Sequence, residues 1–75
     1  MYHIDELVAF DTIMSLGSLT RSAGQLCLAK STLSRRIAHL EQQLGQPLLR
    51  RQSNRLLPTE AGQVFHRYCR QILEL

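Results

Sequence analysis

The sequence predicts a mainly α-helical domain with one short β-hairpin late in the chain. Three observations carry that prediction. Leu33, Ile37, Leu40 and Leu44 fall four, three and four residues apart, which is one stripe of an α-helix. Leu26, Cys27 and Leu28 mark a tight turn joining that helix to a short one opened by Ser18. Leu48-Leu49-Arg50-Arg51 and Arg55-Leu56-Leu57 bracket Gln52-Ser53-Asn54, a turn-type cluster between two short apolar and basic runs.

Length and composition fit one small globular unit. At 75 residues the chain has a modest core, near the size where single domains become marginal. Apolar residues make up 44%, with four Gly and two Pro. No window of eighteen apolar residues exists, and acids and a His stand where a signal peptide would have a basic start and an apolar run. Two Cys do not make a disulfide framework, so both are expected reduced and the compartment cytoplasmic.

The first helix is expected from Ile4 to Leu16, ended by Gly17 as a C-cap glycine. Ile4, Leu7, Val8, Phe10, Ile13, Met14 and Leu16 cover a wide arc, more than one buried stripe needs. It should therefore pack on the next two helices on one side and on something else on the other. Ser18 is placed to cap the second helix, Leu19 to Leu26. Ala23 and Gly24 are small enough for another helix to cross closely, and Cys27, between two leucines, is expected in the core.

The third helix has one buried edge and one bare edge. Lys30, Ser31, Ser34, Arg35 and Ala38 are short or cationic and lie mostly opposite the leucine stripe. Such a face can approach another surface and donate hydrogen bonds, which suits the major groove of DNA. The plain alternative is a solvated basic face. Two helices joined by a short turn, the second exposed and basic, form a helix-turn-helix. Pro47 stops the third helix, and the hairpin after it reads as a wing whose tip carries Arg51, Asn54 and Arg55. Arginines on a projecting loop suit phosphates or a narrow minor groove, although they too could be merely solvated. The architecture expected is thus a winged helix-turn-helix: a three-helix core, a short β-hairpin wing and a C-terminal helix.

That last helix should start near Thr59, which can cap it after Pro58, with Glu60 at its positive end. Ala61, Phe65, Tyr68, Ile72 and Leu75 repeat four, three, four and three apart, an a/d seam two heptads long. The seam still runs at Leu75, so this helix is expected to continue. Part of this stripe must also cover the first helix.

The run GSLTRSAGQLCLAKSTLSRRIAHLEQQLGQPLLRR is similar to the N-terminal domain of LysR-type transcriptional regulators. The matching elements are Gly17-Ser18-Leu19, Ala23, Leu33-Ser34-Arg35, Leu40-Glu41, Leu44-Gly45, Pro47-Leu48-Leu49, Arg51 and Thr59-Glu60-Ala61-Gly62. They cover nearly the whole chain in one order without gaps. The resemblance implies a DNA-binding domain over residues 1–58 and the start of a linker and dimerisation helix over 59–75. It implies sequence-specific binding of double-stranded DNA at an inverted repeat in a bacterial regulator. The DNA-binding candidates are then Arg21, Lys30, Ser31, Thr32, Ser34, Arg35, Arg51, Asn54 and Arg55. Ala61, Phe65, Tyr68, Ile72 and Leu75 become the dimerisation candidates. It further implies a homodimer, a tetramer in the full-length protein, RNA polymerase as a further partner, and a first helix that also faces the partner's linker helix. No cofactor is expected in this part; a small-molecule effector belongs to a C-terminal domain. One departure stands out: the turn before the reading helix often carries Ser then Gln in relatives, and here it carries Ala29 and Lys30. Ala cannot cap and a cation in the first turn opposes the helix dipole. Ser31 could cap instead, one turn later, and the residues leave that choice open.

Charge agrees with a polyanionic partner. Residues 1–28 carry Asp5, Glu6 and Asp11 against Arg21, a net −2. Residues 29–57 carry Lys30, Arg35, Arg36, Arg50, Arg51 and Arg55 against Glu41, a net +5, and the remainder is neutral. A clustered basic face points to nucleic acid or a membrane surface; the membrane is disfavoured because the leucines here are needed for the core. RNA is disfavoured because Tyr2, Phe10, Phe65 and Tyr68 lie away from the basic segment, leaving bases little to stack on. The remaining rival is a helical protein-interaction module that works through its apolar linker helix. His66 and Cys69 stand three apart on one helix, but two ligands fall short of the four a closed zinc site needs, and no metal is expected. No nucleophile–base grouping, phosphate loop or carboxylate pair argues for an enzyme.

Overall fold

A computed structural model of the chain describes residues 3–52 and 55–74. The order is α1 (Ile4–Leu16), α2 (Leu19–Leu26), α3 (Lys30–Leu44), β1 (Leu49–Gln52), β2 (Arg55–Pro58) and α4 (Glu60–Leu73). The winged helix-turn-helix expected from the sequence is the fold observed.

Local chemistry explains most element ends. Gly17 takes φ 69° and donates its N–H to the Ile13 carbonyl, closing α1. The Ser18 hydroxyl accepts from Arg21 N at 3.1 Å, capping α2. Helix α3 begins directly after Ala29, which has extended backbone and offers no side-chain cap, while Ser31 lies inside the first turn. The open choice is thereby resolved: α3 starts uncapped. Gly45, at φ 71°, closes it. Strands β1 and β2 pair antiparallel, with Leu49 opposite Pro58 and Gln52 opposite Arg55. Gln52, expected in the turn, instead extends the first strand.

Ten residues from every helix and from the start of the hairpin form one core: Leu7, Ala9, Phe10, Ile13, Ala23, Leu33, Ile37, Leu40, Leu48 and Cys69. Helix α1 touches all three other helices, which accounts for its broad apolar arc. The cover on its far side comes from α4 of the same chain: the Phe10 and Phe65 rings lie 5.9 Å apart, and Cys69 is fully buried. Aromatic pairs at this separation add to the area they bury. Polar ties fasten the same contact, since Asp11 accepts from His66 Nε2 at 2.8 Å and Arg70 Nη1 at 3.4 Å.

Two local expectations are corrected. Cys27 is exposed rather than buried. It occupies the left-handed C-cap of α2 at φ 57°, and its N–H turns back to the end of that helix. That geometry points its side chain outward while Leu26 and Leu28 pack on the core. Gly24 is exposed, and a Cβ there would meet nothing within 4 Å. The buried small residues of α2 are Ser22 and Ala23.

Candidate nucleic-acid interface

Three elements meet around an open concavity. Ser18, Leu19 and Thr20 come from the start of α2, Lys30, Ser31 and Ser34 from the first turns of α3, and Arg51, Arg55 and Leu56 from the hairpin. Lys30 and Ser34 share a face because they stand four residues apart on α3. Arg51 sits opposite Leu56 in the hairpin, and Arg55 opposite Gln52, so both arginines belong to the half of the hairpin nearer its turn. Lys30, Ser31, Ser34, Arg51 and Arg55 are all exposed. None of the three cations makes an ion pair or side-chain hydrogen bond with a described residue.

The structure therefore brings together five of the nine DNA-binding candidates. Arg21, Thr32 and Arg35 lie outside the lining of the concavity. Arg21 and Arg35 are exposed, and Arg35 Nη2 donates to Thr32 Oγ1 at 3.4 Å. Asn54 falls outside the described residues. Thr20 was missed by the sequence reading. Its signal was its place in the first turn after the Ser18 cap, at a helix end that carries partial positive charge.

The one acid of the basic segment is already engaged. Glu41, the single acid between residues 29 and 57, accepts through Oε2 from Leu48 N at 2.7 Å and Leu49 N at 3.2 Å. Another set of bonds holds the same segment from the other side. Thr59 Oγ1 donates to the Pro47 carbonyl at 2.7 Å and Thr59 N to the Leu48 carbonyl at 2.9 Å. The Thr59 hydroxyl also accepts from Gly62 N at 3.0 Å, capping α4. A Cβ at Gly62 would lie 2.1 Å from the Leu48 carbonyl oxygen, so only glycine fits. The base of the wing is thus seated on both α3 and α4.

Helix α4 presents two faces. Gly62 and Cys69 are buried against the domain, and Phe65 and His66 are half-buried beside them. Burial, and then the Asp11 carboxylate, push the Cys69 thiol up to about 11, so it stays protonated. The Glu74 and Asp11 carboxylates raise the Arg70 pKa further above its ordinary value. Of the dimerisation candidates, Ala61 and Phe65 are partly covered by their own domain, Tyr68 and Ile72 are 58% and 44% exposed, and Leu75 lies outside the described residues. Val64, which the heptad reading left out, is exposed beside Tyr68. His66 is bonded to Asp11, and among the described residues no three His, Cys, Asp or Glu side chains are grouped as metal ligands. No helix among them is long and apolar enough to cross a membrane.

Comparison with known proteins places this geometry. Residues 4–63 match the family described as bacterial regulatory helix-turn-helix protein, lysR family. All 75 residues align at 51% identity with the iron-regulated virulence regulatory protein IrgB of Vibrio cholerae serotype O1, covering 25% of that protein. The chain spans about a quarter of the length of the curated relatives it matches. Among solved structures, the DNA-binding domain of BenM in complex with benA site 1 DNA superimposes with a TM-score of 0.91 at 35% identity, covering 96% of this chain and 84% of that one. The CbnR DNA-binding domain in complex with DNA also gives 0.91, at 29% identity, covering 96% of this chain and 83% of that one. With its helix-turn-helix, wing and start of a fourth helix all inside the matched region, this chain belongs to the LysR family of bacterial helix-turn-helix regulatory proteins.

Proposed function

We infer that the chain is the DNA-binding part of a LysR-type transcriptional regulator and reads a specific double-stranded sequence. One observation carries the reading most directly. The concavity between α3 and the wing gathers three cations without partners among the described residues, together with the Ser31 and Ser34 hydroxyls of α3, in a fold that matches domains solved on DNA. The first half of α3 enters the major groove, where Lys30 and Ser34 meet base edges. Arg51 and Arg55 lie against flanking phosphates or the minor groove. Residues 1–58 form the binding domain and 59–75 open the linker helix. Two copies joined through that helix read the halves of an inverted repeat.

The full-length protein is then a tetramer in the bacterial cytoplasm, associated with the nucleoid and in contact with RNA polymerase, and takes a small-molecule effector on a C-terminal domain. The protein-interaction module is not favoured, because the relatives are regulators and the matched structures include DNA complexes. Selection from a randomised duplex pool tests the reading. A recovered inverted-repeat motif, bound more tightly than shuffled duplex at two salt concentrations, is the expected result. Recovery of no motif, with equal affinity for every duplex, would overturn it.

A further inference from the structure

Glu41 lies outside the concavity proposed to meet DNA, yet it sits where the wing is hung. The crevice between α3 and the hairpin is lined by Ser34, Ile37, Ala38 and Glu41 from the helix and by Leu49, Arg51 and Leu56 from the wing. The Glu41 carboxylate spans it by accepting two consecutive backbone N–H groups, those of Leu48 and Leu49. The ladder ends here, with Leu49 opposite Pro58 and one bond beyond that pair, from Thr59 N to the Leu48 carbonyl. A two-stranded hairpin on its own is marginal in water. The bonds from Thr59 seat the carbonyls of Pro47 and Leu48 on the start of α4; the bonds to Glu41 seat the N–H groups on α3. Only the second set ties the wing to the helix that carries Lys30 and Ser34.

The geometry points to Glu41 as a positioning residue that holds the wing arginines at a fixed distance from the reading helix. The inference rests on the DNA-binding reading above. Its action is indirect: Glu41 meets no DNA, and its negative charge alone would weaken binding to a polyanion. Without its tie, the wing remains attached through Thr59 but swings relative to α3. Arg51 and Arg55 then reach phosphates only part of the time while α3 is docked.

Salt dependence separates this role from simple stabilisation. A variant that only unfolds a fraction of the protein lowers the apparent affinity equally at every salt concentration. A variant that loses phosphate contacts flattens the slope of log affinity against log salt, by about 0.9 for each contact. One carboxylate oxygen, Oε2, accepts both bonds, so the single carbonyl oxygen of glutamine can replace it. Aspartate keeps the charge but is one methylene too short to reach both N–H groups.

The test measures binding of the selected duplex across a salt series for the parent, Glu41→Gln, Glu41→Asp and Glu41→Ala. Glu41→Gln is expected to keep the parent slope. Glu41→Asp and Glu41→Ala are expected to flatten it by about 0.9 to 1.8, the worth of one or two phosphate contacts. Adding Arg51→Ala or Arg55→Ala to Glu41→Asp should flatten it little further, whereas each arginine change alone flattens the parent's slope. If Glu41→Ala fails to fold, the Gln and Asp variants still decide. Equal slopes for all folded variants, or a glutamine variant as flat as the aspartate one, would overturn the inference while leaving DNA binding intact. A parent that binds no duplex would instead overturn the functional reading and this inference with it.

Discussion

Lys30 shows how much can turn on one residue. It is the first residue of α3, exposed, and lines the concavity with Ser34 four residues on. Relatives that carry glutamine there offer one donor and one acceptor, matching adenine N6 and N7; lysine offers only donors, matching guanine O6 and N7. A guanine preference is therefore expected at the base pair Lys30 reaches, worth roughly 1–3 kcal/mol of discrimination. Lys30→Gln should move that preference toward adenine and raise stability slightly, because it removes a cation from an uncapped helix start. Selection from a randomised pool with both proteins checks it, and identical motifs would confine Lys30 to phosphate contact. Gly62 is the converse case, a residue whose reason lies far away in sequence. Gly62→Ala would place a Cβ 2.1 Å from the Leu48 carbonyl oxygen, and relief requires moving α4 or the base of the wing. A loss of at least about 1–3 kcal/mol is expected in urea denaturation; an alanine variant as stable as the parent would refute the close contact. The caps Ser18 and Thr59 were legible because each is a hydroxyl residue directly ahead of a helical run. Gly62, Glu41 and Cys27 were not. Their roles depend on which carbonyl, amide or turn the fold brings to them, and residue type alone misassigned Cys27.

At the scale of elements, ends were easier to read than faces. The bounds of α1 and α2 follow from Gly17, Ser18 and the Cys27 turn, all local effects. The burial of α4 is a tertiary effect. Its heptad runs through Ala61, Phe65, Tyr68 and Ile72, while the residues most buried are Gly62 and Cys69, with Phe65 shared between the two stripes. Cys69 makes this buried face measurable. Its thiol is raised from 9.0 to about 11 in the folded protein, first by burial and then by Asp11. The unfolded chain releases this proton more readily, so the stabilisation is complete below pH 9 and is lost as pH rises from 9 toward 11. At about 1.4 kcal/mol per pH unit, the parent should lose about 2 kcal/mol more than Cys69→Ala between pH 8.5 and 10.5. Denaturation of both proteins at the two pH values checks this, with other titrating groups cancelling in the difference. Equal losses would mean that α4 leaves the thiol open to water.

For the molecule as a whole, the question is what covers the outer face of α4. Val64, Tyr68 and Ile72 are exposed there. A groove beside them is lined by Leu44, Leu48, Ala61 and Phe65, with Gln46 and Glu60 among its few polar residues. Contiguous apolar surface of this kind on a small domain marks an interaction site. In the reading proposed here it is covered by a second copy, which would also set two reading helices at the spacing of an inverted repeat. The two stripes of α4 then respond differently to charge. Tyr68→Asp and Ile72→Asp change side chains that are 58% and 44% exposed, so both variants should fold with near-parent stability and sediment as monomers. Phe65→Asp strikes the ring that packs on Phe10, so it should lose stability as well as association, by about 3–5 kcal/mol on the scale of large core truncations. The parent should sediment as a weak dimer whose fraction rises with concentration, because the seam is short at two heptads. Both aspartate variants at positions 68 and 72 should still bind an isolated half-site, and should lose the added affinity that two linked domains give for the full repeat. A parent that stays monomeric at high concentration and binds one domain per half-site independently would remove α4 as the self-association surface.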